Sequence, residues 1–504
     1  MESKLSASDA PVGAIVLAAG RSRRFRSARS KLVHPVGGRP LIQWPLGALR
    51  SLDIDPIVVV VGPGADEVRA SCGAGVRFAV QSEPQGTGHA VLAAAGDLAG
   101  FRGSVLLVHG DLPRLRAQTL QRLVDAHRAS RAAVTLGTGH VDDPGGWGRI
   151  VRADGRVRAI VEDRDANPAE RAINEVNVGL YCVRAPLLFQ LIERATPDNA
   201  QGEIYLTDIV ALAAAEGLAV TDVPVDVAEV AQVNSRRELA AMEKQLRAEI
   251  CGRWMDAGVT LVDPDSAYID PEVTIGEDTI IGPNVHLRGR TSIGAQCRID
   301  GSAFITDSTL AEDVHVKFGV VMTQVDVGAR AIVGPFAHLR AHTQLGEEVH
   351  IGDFVETKNA RLGRGAKANH LAYLGDADIG NGTNIGAGTI TCNYDGFVKH
   401  RTVIGERVQV GSDTTLVAPV RVGDDAYIGA ATTVRRDVSP GALAFNPRQQ
   451  MERPGWVAGF RQRKTSGASA VPAAQAGGKE RSPTAATGPR AREKSGGRAK
   501  PRGR

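Results

Sequence analysis

Aliphatic residues recur every six positions through the second half of the chain, and this period restricts the fold more than any other feature. The residues that keep it are Ile275, Ile281, Leu287, Ile293, Ile299, Ile305, Val321, Val327, Val333, Leu339, Leu345, Ile351, Ile379, Ile385, Ile404, Val410, Leu416, Val422, Ile428 and Val434. A six-residue period fits neither a helix nor a long alternating hairpin. It is typical of a solenoid in which each hexapeptide supplies one short strand and one turn, three of them completing a coil. Glycines after many of these aliphatics suit such turns. The period therefore predicts a parallel β-helix with aliphatic side chains stacked inside.

The period breaks between residues 391 and 403, where the chain reads TCNYDGFVKHRTV and lacks two expected aliphatics. We expect a loop that leaves the coil here and reaches a ligand or a neighbouring subunit. Solenoids commonly cover their flat faces by self-association, so we also expect a closed homo-oligomer.

The first half has a different pattern, in which short β-branched runs alternate with helical segments. The runs AIVLAAG, IVVVVG and SVLLVHGDLP each end in a turn that contains Gly or Asp. Runs of this kind predict parallel strands buried on both faces, as in a Rossmann-like α/β sandwich that binds ligands at the carboxyl ends of its strands. The predicted organisation is an α/β domain over residues 1–234, a linking helix over 235–258, a β-helix over 259–460 and a tail over 461–504.

Composition limits the cellular and chemical context. Residues 465–504 contain nine Lys or Arg and two acidic residues, with no aromatic side chain. We expect this basic tail to be disordered and to bind no specific nucleic acid. The five cysteines form no CxxC pair, which argues against a disulfide framework or a thiolate metal site. No apolar stretch approaches the roughly 20 residues that span a bilayer, and no secretory signal is evident, so a cytoplasmic protein without membrane contact is expected.

Residues 16–34, VLAAGRSRRFRSARSKLVH, follow the first predicted strand with a strongly basic loop. The loop is either a nucleotide-phosphate site or only a charged turn. LAAG alone indicates no more than a broad nucleotidyltransferase superfamily.

The motifs in their order narrow this to one family. They are LAAG, KLVH, QGTGHAV, HGDLP, WGRIV, NVG, QGEIYLTDIV, VNSR, GPFAHLR, FVETKNARLG, NHLAYLGDADIGNGTNIGAGTITCNYDG and VGSDTTLVAPV. From about Val12 to Arg448 the chain resembles the bifunctional bacterial enzymes that acetylate glucosamine-1-phosphate and then uridylylate the product to UDP-N-acetylglucosamine. The resemblance implies a left-handed β-helix, a homotrimer, the co-substrates acetyl-CoA and UTP, the metal ion Mg²⁺ and a product used for peptidoglycan and other envelope polymers.

In the first half, the resemblance implies a site for UTP and UDP-N-acetylglucosamine. Its residues are Leu17, Ala18, Ala19, Gly20, Arg24, Lys31, Gln81, Gly86, Thr87, His109, Gly110, Asp111, Gly148, Glu162, Asn177 and Asn234. Among them, Gly148, Glu162 and Asn177 resemble the family's sugar-binding positions. Arg24 and Lys31 are expected near the phosphates, where transfer at the α-phosphorus needs positive charge. Asp111 and Asn234 are expected to hold Mg²⁺, which favours few protein oxygens together with phosphates and water. From the residue pattern alone, Asp111 is equally well read as a turn residue at a strand end.

The basic loop departs from the family. Ser22 and Arg23 stand where the family typically has Gly and Thr, and Ser30 stands in place of Pro. A Cβ in place of Gly obstructs the approach of backbone amides to phosphate, although the guanidinium of Arg23 adds compensating charge. One alternative therefore remains open, namely an enzyme that only transfers acetyl groups and has an impaired nucleotide-binding domain. A non-enzymatic solenoid scaffold is a second alternative.

In the second half, acetyl transfer needs a base for the amine, a charged clamp for the sugar phosphate and donors for the developing oxyanion. By resemblance, His370 is the catalytic base. The amino-sugar phosphate is expected at Arg340, Lys358, Tyr373 and Asn384, and acetyl-CoA at Ala387, Asn393, Tyr394, Ser412, Ala430 and Arg448. Read without the family, NYDG at residues 393–396 is simply a good turn.

Overall fold

The structure is a computed structural model, and it describes residues 10–20, 23–447 and 449–465. The predictions for Ser22 and Arg448, and that of a disordered tail from residue 466 onwards, concern positions outside these ranges. Within them, residues up to Asn446 form one compact unit and those from Pro447 a second. The second contains the helix Trp456–Thr465, in which the rings of Trp456 and Phe460 stack. Residues 461–465 of the predicted tail are thus helical.

The N-terminal part of the first unit contains a nine-stranded sheet. Seven strands lie in the order Val220–Pro224, Val134–His140, Glu175–Arg184, Ser104–His109, Val12–Ala18, Ile57–Val61 and Arg77–Val80, and the hairpin Arg149–Ala153 and Arg156–Val161 joins beside Glu175–Arg184. Glu175–Arg184 runs antiparallel to both of its neighbours. The three apolar runs quoted from the sequence form neighbouring parallel strands, which confirms that prediction. The sheet as a whole is mixed, and the direction of Glu175–Arg184 could not be predicted, because an apolar run marks burial and carries no information on strand direction.

Both faces of this sheet are buried, as the apolar runs predicted. Val16 and Leu106 belong to one hydrophobic core, whereas Ile15 and Leu107 belong to another. Neighbouring residues of one strand point to opposite faces, so helices must cover both sides. The helices of this domain are Gln43–Arg50, Asp66–Cys72, Thr87–Ala93, Ala117–Ser130, Pro168–Arg171, Ala185–Ile192 and Asp208–Ala215, with 3₁₀ turns at Arg23–Phe25, Lys31–Val33 and Val227–Val230 and a small hairpin of Pro35–Val36 and Arg39–Pro40.

A helix over Arg236–Asp256 links the two domains, and the Ser235 side chain caps it by accepting a hydrogen bond from the Glu238 amide. Leu246 packs in a core of the N-terminal domain, whereas Ile250 packs in the core of the following domain. Because one helix contributes to both cores, it holds the two domains in a fixed relation. No helix among the described residues is both long enough and apolar enough to cross a membrane.

The second half is a parallel β-helix with three faces, which confirms the prediction from the six-residue period. The first face comprises Thr260–Leu261, Ile280–Ile281, Arg298–Ile299, His315–Val316, Ile332–Val333, His350–Asp353, Lys367–His370, Asn384–Ile385, Gln409–Val410, Tyr427–Ile428 and Leu443–Ala444. The second face comprises Tyr268–Ile269, His286–Arg288, Phe304–Thr306, Val321–Thr323, His338–Leu339, Glu356–Lys358, Tyr373–Gly375, Ile390–Cys392, Thr415–Val417 and Thr433–Val434.

The third face comprises Thr274–Ile275, Ser292–Ile293, Thr309–Leu310, Val325–Val327, Thr343–Leu345, Arg361–Leu362, Ala377–Ile379, Thr402–Ile404 and Val420–Val422. A 3₁₀ turn at Pro264–Ser266 lies in the first coil. The aliphatics of the period are buried in one continuous core, with one exception. Val321 is exposed and its neighbour Met322 points inwards. Inward residues are normally six positions apart, but Leu310 follows Ile305, and Val327 follows Met322, after only five positions. These two shortened turns shift the register of the coils between them.

The loop predicted at the break in the period is present. It lies between the strands Ile390–Cys392 and Thr402–Ile404, and an isolated bridge joins Tyr394 to Lys399 across it. The strands on either side continue the second and third faces, so the loop is an insertion in one coil.

Candidate active sites

A cavity of about 250 Å³ opens at the carboxyl ends of the strands Val12–Ala18 and Ser104–His109 in the N-terminal domain. Ten of its lining residues were predicted from the sequence, namely Leu17, Ala18, Ala19, Gly20, Lys31, Gln81, Gly86, Thr87, His109 and Asp111. Parallel strands bring their carboxyl ends to one edge of a sheet, which explains why motifs far apart in sequence meet here.

Gly86 shapes one wall of this cavity. Its φ is +110°, and a Cβ at this position would lie 2.5 Å from the Ile204 carbonyl oxygen. The Gln81 amide donates to the Gly86 carbonyl at 3.1 Å, and the Thr87 hydroxyl accepts from the Leu206 amide at 3.1 Å. A side chain at position 86 would separate these two segments, so glycine is required for the wall to close.

A second cavity, of about 520 Å³, adjoins the first and shares Ala18, Ala19, Gly20, Gln81 and Pro84 with it. Residues 27–30, which belong to the basic loop singled out in the sequence, and residues 62–65, which were not selected, line its other side. The available signal was Gly62, which ends the buried run IVVVVG next to the first strand. Together the cavities form a continuous cleft along the LAAG segment.

Lys31, Asp111 and Asn234 form a polar cluster at the edge of the first cavity. The Lys31 ammonium donates to Asp111 Oδ2 at 2.5 Å and to Asn234 Oδ1 at 2.7 Å. Asn234 is held in turn, because its backbone N–H donates to the Glu238 carboxylate at 2.6 Å. The two residues predicted to bind metal therefore lie together, and both already bind a positive charge.

The donor set of this cluster suits a particular kind of ion. No group of three or more His, Cys, Asp or Glu side chains within the described ranges is arranged to hold a metal. One carboxylate and one amide oxygen are too few for an all-protein site. They fit Mg²⁺, which keeps several waters and takes further oxygens from a substrate phosphate.

The predicted sugar-binding residues Gly148, Glu162 and Asn177 are brought together, although none lines the first cavity. The Asn177 amide donates to the Gly148 carbonyl at 2.9 Å, and a Cβ on Gly148 would lie 3.6 Å from the Glu162 carboxylate oxygens. Burial raises the pKa of Glu162, whose carboxylate accepts from the Thr207 hydroxyl at 3.1 Å. Thr207, which the sequence analysis missed, follows Leu206 and so connects this group to Thr87.

Three further predicted residues lie in different surroundings. Burial lowers the pKa of His109, which favours its neutral form. The Gly110 amide donates to the Leu17 carbonyl at 2.9 Å and supports the strand end from behind. Arg24 is exposed in the 3₁₀ turn Arg23–Phe25 and lines neither cavity.

In the β-helix, His370 lies in a column of residues at the corner between the first and second faces. Strand pairing aligns five residues of successive coils, namely Ile351, Ala368, Ile385, Val410 and Ile428. Each member of the column lies two positions after one of these residues. The column is Asp353, His370, Ala387, Ser412 and Ala430. Successive coils are about 4.8 Å apart. The predicted base and three predicted acetyl-CoA residues therefore form one line, with small side chains leading away from the imidazole.

Asp353, which the sequence analysis did not identify, contacts the predicted base directly. Its Oδ1 lies 2.9 Å from His370 Nδ1, and both side chains are partly exposed. A carboxylate can only accept, so Nδ1 carries the proton and Nε2 presents its lone pair. This is the tautomer that a general base requires.

Positive charges gather at the other edge of the second face. Arg340 contacts Glu356 at 2.8 Å, and Lys358 stands one coil further along. The nearby Lys399 ammonium lowers the pKa of Lys358, and Arg340 adds to this effect. Lys399 belongs to the inserted loop and was not selected from the sequence, although it stands in the quoted segment. Like charges held together favour a dianionic ligand such as a phosphate ester.

The base of the inserted loop is fixed by hydrogen bonds. Asn393 and Asn359 donate to opposite oxygens of the Asp376 carboxylate, and Asn393 is buried. The backbone N–H of Val398, the His400 side chain and the backbone N–H of Phe397 lower the pKa of Asp395 to about 2. Tyr394, by contrast, is exposed. The loop thus presents an ordered, largely apolar tip.

Two predicted sugar-binding residues lie apart within one chain. Tyr373 is on the second face, where it pairs with Glu356 and Ile390. Asn384 is on the first face, where it pairs with Lys367 and Gln409.

Comparisons with known proteins match both halves of the chain. A family model for the MobA-like NTP transferase domain matches residues 14–197. A model for the GMPPB C-terminal domain matches residues 264–360, and one for the bacterial transferase hexapeptide (six repeats) matches residues 401–436.

Several curated relatives are similar over nearly their whole length. The chain is 49% identical over 447 residues to the bifunctional protein GlmU of Trichlorobacter lovleyi, covering 88% of this chain and 97% of that protein. Identity to the protein of the same name from Pelobacter propionicus is 49%, with coverages of 88% and 98%. For Geobacter sulfurreducens GlmU the identity is 47%, again with coverages of 88% and 98%.

Proposed function

The chain belongs to the bifunctional GlmU family, and from this premise we propose which residues perform its two reactions. The protein is a glucosamine-1-phosphate N-acetyltransferase and an N-acetylglucosamine-1-phosphate uridylyltransferase. The alternative in which only acetyl transfer survives is not favoured, because the similarity to bifunctional relatives extends over both halves.

We assign acetyl transfer to the β-helix. The observation that carries this assignment is the hydrogen bond between Asp353 and His370 at the end of a column of small residues. His370 Nε2 takes a proton from the amino group of glucosamine-1-phosphate as the nitrogen attacks the thioester carbonyl of acetyl-CoA. The CoA thiolate leaves, and the Asp353 carboxylate stabilises the imidazolium that has formed.

The two substrates are positioned by different features of the coil. Ala387, Ser412 and Ala430 give the thin pantetheine arm of acetyl-CoA a path along the column towards His370. Arg340 and Lys358 bind the sugar phosphate. The like-charge repulsion that lowers the pKa of Lys358 is relieved when a phosphate binds, and this strengthens the clamp.

We assign uridylyl transfer to the cleft of the N-terminal domain, with UTP along Leu17 to Gly20 and the sugar near Gly148, Glu162 and Asn177. Asp111 and Asn234 would hold Mg²⁺, which would neutralise charge on the phosphates as the sugar phosphate attacks and pyrophosphate leaves. Gln81, with its amide fixed by the Gly86 carbonyl, faces the uracil. Because UTP and acetyl-CoA are cytoplasmic metabolites, we place the protein in the cytoplasm.

We propose further that the protein works as a homotrimer. Phe318, Phe336, Phe354 and Leu371 form an exposed apolar stripe along the corner of the β-helix next to the His370 column. An apolar stripe of this kind is typical of an interface. The separation of Tyr373 from Asn384 supports the same conclusion, since a second chain would complete the sugar site. Light scattering of the full chain is expected to give three times the 53.1 kDa chain mass, and a monomer would contradict the proposal.

Separate assays of the two half-reactions test the assignment on the full-length protein. Glucosamine-1-phosphate and acetyl-CoA are expected to release CoA without UTP. N-acetylglucosamine-1-phosphate, UTP and Mg²⁺ are expected to release pyrophosphate without acetyl-CoA. If CoA is released but pyrophosphate is not, the result would support the alternative in which the enzyme only transfers acetyl groups.

Replacing Asp353 by Asn tests the positioning role of this carboxylate. Asp353→Asn is expected to lower kcat for acetyl transfer by about tenfold, the cost of one hydrogen bond to a group that becomes charged, and to leave KM for glucosamine-1-phosphate nearly unchanged. Asp300 makes a matched pair with His315 at 2.8 Å on the first face. Asp300→Asn is therefore the control and is expected to keep full activity. An unchanged kcat in Asp353→Asn would exclude the proposed role.

A further inference from the structure

The Lys31 ammonium binds both of the oxygens that we propose as Mg²⁺ ligands. It donates to Asp111 Oδ2 at 2.5 Å and to Asn234 Oδ1 at 2.7 Å, from residues distant in sequence. The side chains of Lys31 and Asp111 are only 12% and 11% exposed. Both hydrogen bonds are therefore largely shielded from water. Charge-assisted hydrogen bonds are stronger in such shielded surroundings than in water.

The backbone of Lys31 is fixed, whereas its charged end can move. Lys31 opens the 3₁₀ turn Lys31–Val33, and the Ser30 hydroxyl caps this turn by accepting a hydrogen bond from the Leu32 amide at 3.3 Å. Leu32 and Val33 are buried and anchor the turn. Lysine has a flexible four-carbon stem, so its ammonium can change partners while the turn stays in place.

A divalent cation and this ammonium compete for the same atoms. An ion coordinated by Asp111 Oδ2 and Asn234 Oδ1 would lie close to the Lys31 ammonium, and repulsion between the two positive charges in this shielded site favours displacement of Lys31. Lysine has three donors and no acceptor, so the displaced ammonium needs another anion. Lys31 also lines the first cavity, where a triphosphate would supply anionic oxygens within reach of its stem.

We propose that Lys31 makes metal binding at Asp111 and Asn234 conditional on the nucleoside triphosphate. With the nucleotide present, the ammonium moves to a phosphate oxygen and the two ligand oxygens become available to the ion. Without the nucleotide, the ion must break two charge-assisted hydrogen bonds and leave Lys31 without an anion. Linkage is reciprocal, so the ion and the nucleotide strengthen each other's binding. This inference rests on the proposed assignment of Asp111 and Asn234.

Mn²⁺ binding to the nucleotide-free, full-length protein tests the proposal. Free Mn²⁺ is followed by electron paramagnetic resonance during titration of the wild type and of Lys31→Met, which keeps the stem and removes the charge. Lys31→Met is expected to bind Mn²⁺ at least about tenfold more tightly, since even one lost competing bond to a charged group gives this factor. The double variant Lys31→Met with Asp111→Asn is expected to lose the gain.

Lys244→Met is the control for net charge, because Lys244 is exposed on the linking helix. It is expected to bind Mn²⁺ as the wild type does. Equal Mn²⁺ affinity of Lys31→Met and the wild type would overturn the proposal while leaving the metal assignment standing. If Asp111→Asn instead retained full uridylyl transfer, the metal assignment itself would fail.

A second measurement serves if Lys31→Met does not fold. Acetylation of Lys31 by an N-hydroxysuccinimide ester is followed by mass spectrometry in the wild type and in Asp111→Asn. Loss of the Asp111 partner is expected to speed the labelling of Lys31 several-fold and to leave that of Lys244 unchanged. Equal labelling rates of Lys31 would show that Asp111 does not hold its ammonium.

Discussion

Replacing His370 by Ala is expected to lower acetyl transfer by about 10² to 10⁴-fold, the range over which a positioned general base contributes. The imidazole lies at the end of the column of small residues and receives its orientation from Asp353 at 2.9 Å. Without it, the column retains only the Asp353 carboxylate, a weaker base than imidazole, to take the proton of the attacking amine. CoA release from acetyl-CoA and glucosamine-1-phosphate measures the loss.

Two controls accompany His370→Ala: the uridylyl transfer of the variant itself, and acetyl transfer by a second His variant. Uridylyl transfer by His370→Ala is expected to equal that of the wild type, because the cleft belongs to a different domain. His315→Ala removes a second, partly buried His with an Asp partner at 2.8 Å, three coils away on the first face. It is expected to keep full acetyl transfer. A normal rate of CoA release from His370→Ala would refute the assignment of the base.

Replacing Asp111 by Asn is expected to lower uridylyl transfer by roughly 10²-fold or more, since a cation on the transferred phosphate stabilises the transition state by several kcal/mol. The variant keeps the shape of the side chain and removes the charge that attracts the ion. Release of pyrophosphate at saturating UTP and N-acetylglucosamine-1-phosphate is the measurement. A partial recovery at high Mg²⁺ is expected, because Asn still offers one oxygen.

Acetyl transfer by Asp111→Asn is expected to stay at the wild-type rate. Asp125→Asn is a suitable control in the same domain, because Asp125 is exposed on the helix Ala117–Ser130 and accepts a hydrogen bond from Gln121 on the same helix. Wild-type pyrophosphate release by Asp111→Asn would remove Asp111 from the reaction. The similarity of the HGDLP motif to the family would then not indicate a role of its Asp in uridylyl transfer by this protein.

Much of the first site could be predicted because its residues follow the ends of buried strands. Leu17 and His109 end two apolar runs, and parallel pairing of those runs brings them to one edge. The mixed direction of Glu175–Arg184 was not predictable from its apolar pattern. The contact of Lys31 with Asn234 was not predictable either, since it joins segments 203 positions apart through the linking helix.

In the β-helix, the six-residue period predicted the interior almost completely. It did not predict Met322 as an inward residue, because two shortened turns alter the local spacing. It also gave no reason to select Asp353. Three hexapeptides of the ideal period would place Gly352 beside His370, one residue away from the true partner.

Periodicity and motifs depend only on the order of residues, so the class of each domain, the family and the residue types available for both reactions could be read from the chain before it was folded. Which atoms meet became known only from the folded chain. Asp353 and His370 are 17 positions apart, and an inserted loop separates Ala387 from Ser412, so neither interval is a multiple of six. Backbone hydrogen bonds between the strands determine which residues of successive coils are neighbours. Because the turns differ in length, this register is known only from the folded structure.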